Sequence, residues 1–444
     1  MTFRQPLKSK IQKGQILSNA LYRLYQLRRE QWLSIDELRA IQLKQLKKMA
    51  RHAYTNVPYY RRLFDSIGFK PEDIKTLEDI KKIPITRKAD LKDLLASELL
   101  SENVSPVNLI RRHTSGSTGV PFNVYHSWED KVFQALMNLR ILMENGLKVS
   151  DKVAHIVTRQ MIGQKFWFQS LGILRKYYIP ASHTADEQLE ILKQINPDTI
   201  YGYSSSIKLL ALKIKESGNK SIHPRIIFCA SELLEPGDRE LINSTFGLSL
   251  CDVYGTVEMG DFAWECPAHE GHHIDINNFV VEFLKDGKDA SPGEEGKVVC
   301  TGLHSFAMPF IRYEVGDICV PLDKTCSCGR NLPLMSMIRG RADDFITLPD
   351  GRCVSPLMFE IPSILGVAQY RIIQKTIDKL LVQVVPSNGF SKDARYKVRQ
   401  HVRWAARKIT GNNVMNVEVE IVESIPKDPS SNKIRRVISE IKSL

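Results

Sequence analysis

Arg111-Arg112-His113-Thr114-Ser115-Gly116-Ser117-Thr118-Gly119-Val120-Pro121 sets four hydroxyl residues and two glycines in the six positions from Thr114 to Gly119. Small residues let backbone N–H groups curl around an anion, hydroxyls add donors on rotatable arms, and glycine reaches the positive-φ conformations that such a nest needs. The stretch therefore reads as a phosphate cradle built from Thr114, Ser115, Gly116, Ser117, Thr118 and Gly119. A P-loop would require Gly-Lys-[Ser/Thr] opening a helix, whereas Val120-Pro121 follows Gly119 here. That disfavours the usual kinase or ATPase loop and leaves a nucleotide cradle of another kind, or a solvated Ser/Gly turn.

Four further segments follow in a fixed order: Tyr254-Gly255-Thr256-Val257-Glu258, Arg312-Tyr313-Glu314-Val315-Gly316-Asp317, Gly340-Arg341-Ala342-Asp343-Asp344 and Ser430-Ser431-Asn432-Lys433-Ile434-Arg435-Arg436. Each alone is weak. In this order they resemble the motifs of the adenylate-forming, AMP-binding enzymes. More narrowly, the chain resembles the phenylacetate-CoA ligase family, including its capsular polysaccharide biosynthesis (CapK-like) subgroup. Arg51-His52-Ala53-Tyr54-Thr55-Asn56-Val57-Pro58-Tyr59-Tyr60-Arg61 and Cys326-Ser327-Cys328-Gly329-Arg330 carry the same resemblance, which covers nearly the whole chain.

A length of 444 residues is too much for a single hydrophobic core. The resemblance implies an α/β protein: a large N-terminal adenylate-forming domain with mainly parallel sheets, residues 1–341, and a small mobile α+β C-terminal domain, residues 342–444. The residues read independently agree. Ser34 caps a helix over 35–52 with an apolar stripe of Leu38, Ile41, Leu43, Leu46 and Met49. Helical stretches at 128–145 and 185–196 alternate with β-rich runs at 153–157, 225–228 and 297–300, the pattern of a parallel α/β core. Beyond Arg341 to Asp344 the tail reads as a strand at 380–385, a helix at 393–409 and a strand at 417–422.

The formal net charge of +12 raises the question of nucleic acid or membrane binding. Its distribution argues for neither. No basic helix-turn-helix or aromatic stacking motif accompanies it, so no nucleic-acid partner is expected. Steering of polyanionic substrates such as ATP is the better use of the field. No apolar run is long enough to span a bilayer and the start MTFRQPLKSK lacks a secretory core, so the chain reads as cytoplasmic. The first 52 residues carry twelve Lys/Arg against three Asp/Glu, and the stretch from Leu21 to Arg29 offers weak peripheral contact with an anionic surface.

Activating a carboxylic acid brings a carboxylate against the α-phosphate of ATP, so catalysis needs positioning and charge neutralisation more than proton transfer. The resemblance assigns the parts. Glu258 is implied as the Mg²⁺ ligand, Tyr254 with Gly255 and Thr256 as the wall against adenine, and Ser231-Glu232 as the adenine-side turn. Asp317 is implied as the ribose-binding carboxylate, Arg312 as support on the phosphate side, and Lys433 as the cation of the adenylation transition state. Arg341 and Asp343 match the hinge between half-reactions, where backbone rotation matters more than substrate contact. Seen alone, Tyr254 reads equally as a core aromatic, Asp317 as a turn residue and Lys433 as a solvated lysine. One departure stands out: the family pattern is Tyr-Gly-x-[Ser/Thr]-Glu, and here Val257 takes the fourth position while the hydroxyl falls at Thr256. A hydroxyl donor to the α-phosphate is thereby missing or re-sited.

Six of the eight cysteines are scattered singly, which does not describe a disulfide framework. Cys266-Pro267-Ala268-His269-Glu270-Gly271-His272-His273 and Cys326-Ser327-Cys328 instead suggest a closed Cys₃His zinc site that is structural, with ordinary reduced cysteines as the alternative. Local Cys-x-x-His spacing favours His269. The family pattern favours His273, which we prefer for the set Cys266, His273, Cys326 and Cys328.

The leading reading is thus an acid-activating ligase using ATP, Mg²⁺ and a structural Zn²⁺. Its substrate is a small, aryl carboxylic acid, and its acceptor is CoA or, in the capsule subgroup, an amine or another acceptor joined as an amide or ester. A non-catalytic nucleotide-binding module is the alternative, and it would have no need of Lys433 or Glu258. Trp167, Phe168 and Tyr201 offer aromatic surface for the acid, and core packing accounts for them equally well.

Overall fold

The computed structural model describes residues 10–113, 122–157, 167–181, 183–218, 221–336, 346–348, 353–354, 361, 366–386, 390–410, 415–426 and 437–441. Thr114, Ser115, Gly116, Ser117, Thr118, Gly119, Arg341, Asp343 and Lys433 lie outside that set.

Helices start where the sequence supplies both halves of a capping box, which satisfies two otherwise orphaned backbone donors. Ser34 Oγ accepts from Glu37 N at 3.3 Å while Glu37 Oε2 accepts from Ser34 N at 2.9 Å, opening the helix Ile35–Asn56. Ser127 with Asp130 opens Trp128–Glu144, and Thr184 with Glu187 opens Ala185–Ile195, by the same exchange. Gly218 at φ 62° and Gly247 at φ 67° end Ser204–Ser217 and Pro236–Phe246 in the left-handed conformation that glycine adopts without a Cβ clash.

Among the described residues, twelve strands form one sheet. Its order from one edge is Arg175–Pro180, Lys152–Val157, Thr199–Tyr203, Ile226–Ala230, Cys251–Thr256, Gly260–Glu265, His272–Ile274, Leu334–Ser336, Tyr313–Leu322, Gly296–Gly302, Phe279–Lys285 and Lys288–Asp289. The first five pair in parallel, with helices in the crossovers, as the alternating pattern predicts. The remaining pairings are antiparallel, which narrows the expectation of mainly parallel sheets to one half of this sheet. The physical reason is connection length: the short links after Thr256 and Lys285 leave no chain for a crossover helix, and only hairpins can form.

The C-terminal part carries a separate four-stranded sheet in the order Asn416–Ile421, Lys379–Pro386, Val367–Thr376, Val437–Ser439. Val398, Val402, Ala405 and Ala406 of the helix Lys392–Thr410 share its core with Leu380, Val382 and Val384. The strand, helix and strand expected at 380–385, 393–409 and 417–422 are these elements.

Buried charge ties the antiparallel half of the large sheet to the helical segments packed against it. Arg140 and Asp275 are both fully buried and paired at 2.8 Å, with the guanidinium 5.3 Å from the Trp264 ring centroid. Arg312 makes the second such clamp. It sits at φ 46°, and its Nε and Nη2 donate to the two carboxylate oxygens of Glu282 at 3.0 and 2.8 Å. Its Nη1 donates to the carbonyls of Lys81 and Ile83 at 3.0 and 2.6 Å. Its backbone is held too, Arg312 O accepting from Thr86 N at 2.8 Å. The guanidinium expected on the phosphate side is therefore committed to the Glu282 pair and to the segment Lys81–Ile83, a positioning role for the strand that begins at Tyr313.

Arg312→Ala leaves the Glu282 carboxylate buried without its partner, a change that costs about 3–5 kcal/mol. A large drop in thermal midpoint is expected. Arg312→Lys should recover little of it, because an ammonium cannot reproduce the two-pronged contact. An unchanged midpoint in both variants would refute the clamp.

Candidate active site at the change of strand direction

The strand Cys251–Thr256 has a parallel neighbour, Ile226–Ala230, on one side and an antiparallel neighbour, Gly260–Glu265, on the other. In open α/β sheets, ligands bind beyond the carboxyl ends of the strands where the topology changes. Of the residues singled out from the sequence, Ser231, Glu232, Tyr254, Gly255, Thr256, Glu258 and Asp317 lie on or beside these strands or meet their residues; Thr114 to Gly119, Arg341, Asp343 and Lys433 are outside the described residues. Ser231 follows the parallel strand at φ 69°, a conformation uncommon for a residue with a side chain. Glu232 Oε2 accepts from Ser205 N at 2.9 Å, so its charge sits at the amino end of the helix Ser204–Ser217.

The hairpin that follows is fixed by glycine. A Cβ on Gly255 would stand 2.6 Å from Asp261 Oδ1 and 2.6 Å from Gly260 O, so only glycine permits the close approach. The pairing shifts register between Tyr254 and Gly255. Thr256 Oγ1 accepts from Met259 N at 3.2 Å, which commits the displaced hydroxyl to the turn. Val257 is exposed, and its carbonyl accepts from His126 Nε2 at 3.1 Å. Burial pushes the His126 imidazole down to about 3, so the ring is neutral and donates as drawn.

Two buried tyrosines reach the two motif carboxylates. Tyr254 donates its hydroxyl to Asp317 Oδ2 at 2.6 Å, with Phe262 edge-on to its ring at 4.6 Å. Tyr313 donates to Glu258 Oε1 at 3.0 Å. Asp317 and Tyr313 lie on one strand, the one seated by Arg312, so a single element addresses both ends of the hairpin motif. Burial, first, and then the Asp317 charge drive the Tyr254 phenol well above its ordinary value, so it remains a donor.

The Cys/His cluster lies on the antiparallel side. Ligand atoms of Cys266, His273, Cys326 and Cys328 all fall within 4.8 Å of one another. Cys266 Sγ stands 3.6 Å from Cys326 Sγ, and Cys328 Sγ 3.3 Å from His273 Nε2. The sulfur separation is far beyond the ~2.05 Å of a disulfide. It matches the edge of a tetrahedron around a metal with bonds of about 2.0–2.3 Å. His269 stands outside this group, its Nδ1 3.6 Å from Glu265 Oε2.

Composition and motif order do not reveal every contact at the site. Tyr313 sits inside the quoted motif, yet its partner Glu258 is 55 residues away in sequence. Asn138, on the helix Trp128–Glu144, donates to Asp261 Oδ2 at 2.8 Å across a separation of 123 residues. No local signal links such pairs. Tyr201 stacks on His155 with ring centroids 4.9 Å apart. The side chain of Trp167 lies outside the described residues.

Residues 350–440 match the CapK C-terminal domain. A phenylacetate-coenzyme A ligase from Aromatoleum evansii is 32% identical over 330 residues, covering 71% of this chain and 73% of that protein. Another, from Thermus thermophilus, is 27% identical over 438 residues, covering 91% of this chain and 96% of that one. Among solved structures, 2-hydroxyisobutyryl-CoA ligase in the postadenylation state, with its acyl-AMP bound, superposes with a TM-score of 0.75. It is 23% identical and covers 93% of this chain and 91% of that one. The structural likeness gives the fold. The sequence identity across most of both chains goes further, and by it this chain belongs to the phenylacetate-CoA ligase family of acid-activating ligases.

Proposed function

We propose that this protein uses ATP to activate a small, aryl carboxylic acid as an acyl-adenylate and then passes the acyl group to the thiol of CoA. The observation that carries the reading is the pair of contacts Tyr254 to Asp317 and Tyr313 to Glu258 at the change of strand direction. These contacts hold two carboxylates apart and in fixed attitudes. One suits the vicinal hydroxyls of a ribose, the other a hard cation. In the first half-reaction a carboxylate oxygen attacks the α-phosphorus and pyrophosphate leaves. Thr114 to Gly119 would cradle the departing phosphates, and Glu258 would hold Mg²⁺, which neutralises phosphate charge. Lys433 would stabilise the charge shared between carboxylate and α-phosphate. In the second, the thiolate of CoA attacks the acyl carbonyl and AMP leaves. Support for the acceptor comes from the relatives, which are named as coenzyme A ligases.

We place the boundary between the large and small domains at Arg341 to Asp344, just before the residues that match the CapK C-terminal domain. That match also supports a second reading of the acceptor, an amine or hydroxyl of a surface-polysaccharide precursor. The reaction is set in the cytoplasm. Among the described residues no helix is long and apolar enough to cross a membrane.

Cys266, His273, Cys326 and Cys328 would hold Zn²⁺ as a closed four-ligand site. With no position left for water, the ion would pin the loop after the strand Gly260–Glu265 to the Cys326–Cys328 turn rather than take part in the reaction.

Labelled pyrophosphate should exchange into ATP when the right acid is present, and CoA should be consumed on its addition. Lys433→Ala and Glu258→Ala should each slow exchange by about 10²–10³-fold. Exchange indifferent to Lys433→Ala would remove that residue from the reaction, and adenylate that never passes to CoA would favour the amine or hydroxyl acceptor. For the metal, elemental analysis of protein purified without chelator should return one zinc per chain. Cys328→Ser should lose it and melt at lower temperature. Metal-free protein with the thermal midpoint of the purified form would sink the site.

A further inference from the structure

A line of polar side chains runs beside the Gly255 hairpin that the proposed reaction does not use. Lys131, Gln134 and Asn138 lie at helical spacing on one face of Trp128–Glu144. That face packs on the hairpin: a Cβ on Gly260 would meet Gln134 Cγ at 3.0 Å. Lys131 Nζ donates to Gln134 Oε1 at 2.7 Å. Asn138 Nδ2 donates to Asp261 Oδ2 at 2.8 Å and stands 3.5 Å from the Tyr201 hydroxyl. The Tyr201 ring lies flat on His155, and His155 meets Tyr178 edge-on at 5.7 Å, these three being register partners on adjoining strands.

Two features of this line set it apart from ordinary core packing. Asp261 is crowded by protein yet only half-buried, and among the described residues no cation lies within 4 Å of its carboxylate. Burial raises its proton affinity, with Asn138 and then Lys131 opposing. Further, Gln134 Nε2 and the buried His155 Nε2 find no hydrogen-bond partner among the described residues. Buried polar atoms left in this state cost about 1–3 kcal/mol each unless something else meets them. An unsubstituted aryl ring would leave them unmet, since it presents no donor or acceptor.

Asp261 is the register partner of Gly255, one residue from Tyr254 and Thr256, so the line ends where the acid would be activated. We infer that the acid-binding end of this site takes an aryl carboxylic acid bearing a hydrogen-bond-donating substituent, a hydroxyl or amino group, received by Asp261 with Asn138 and Tyr201. The inference rests on the acid-activating reading above. The flat stack of Tyr201 on His155 supplies an aromatic wall, and Asp261 supplies the acceptor that distinguishes a donor-bearing ring from a bare one.

The test is acid-dependent pyrophosphate exchange with wild-type protein on matched acids: phenylacetate, 4-methylphenylacetate, 4-hydroxyphenylacetate and 4-aminophenylacetate. The methyl compound equals the other substituted acids in size and lacks only the donor. A donor-bearing acid should exceed it in kcat/KM by at least about tenfold, because a site built around hydrogen bonds penalises the analogue that leaves them unpaired. Comparing the hydroxyl and amino arms names the substituent. In Asn138→Leu and Tyr201→Phe that preference should shrink or reverse while ATP affinity stays unchanged, which a merely structural role would not produce. If phenylacetate or its methyl derivative exchanges as well as the donor-bearing acids, the inference is overturned and the acid-activating function stands. If no acid of the set exchanges, the aryl-acid reading fails and takes the inference with it.

Discussion

The site depends on one close approach. At Gly255 the strand Cys251–Thr256 lies so near its antiparallel neighbour that any side chain would overlap Asp261 and the Gly260 carbonyl at 2.6 Å. That proximity lets the chain reverse within a few residues of a parallel strand, and the register shift at Tyr254 is its geometric consequence. Because the reversal is tight, Tyr254 before it and Glu258 within it stay in one small region. A longer connection would have carried Glu258 away from the strand ends, where an α/β sheet leaves room for a ligand.

The strand Tyr313–Leu322 supplies the matching half. Tyr313 and Asp317 are four residues apart along it, and each meets a different part of the hairpin motif. Such a two-point contact works only if the strand cannot slide. Arg312 prevents sliding by joining Glu282 to the carbonyls of Lys81 and Ile83 immediately before the strand starts. A buried pair of this kind contributes little net stability, since desolvation offsets attraction. Its use here is register, the role for which buried ion pairs are best suited.

The division between what the sequence tells and what it withholds follows the range of the interactions. Ser34 with Glu37, Ser127 with Asp130 and Thr184 with Glu187 are three residues apart, so the helix starts could be read directly. The same holds for the two cysteines at 326 and 328. His273 rather than His269 joins those cysteines because the loop places His269 at φ 52° beside Glu265, which no spacing rule anticipates. The antiparallel half of the sheet was hidden for a different reason: short β-rich runs carry no mark of the direction of their neighbours. The contacts of Arg312 were hidden as well, since a motif reports an arginine and not the carboxylate, Glu282, that it meets.

Two carboxylates three residues apart, Glu258 and Asp261, would let one hairpin serve two ends of the proposed reaction. Chain reversal turns Glu258 toward Tyr313 on the strand Tyr313–Leu322 and Asp261 toward Asn138 on the helix Trp128–Glu144. A tyrosine hydroxyl and an amide each donate one hydrogen bond without contributing charge, and neither neutralises the carboxylate it meets. Among the described residues neither carboxylate is paired with a cation, and their surroundings differ. On the proposed function Glu258 would face a divalent ion, the natural complement of phosphate. Asp261 lies beside stacked aromatic rings, where a full positive charge is not required and a polarised O–H or N–H is sufficient. On these proposals the fold would keep its chemistry at one carboxylate while varying its choice of acid at the other.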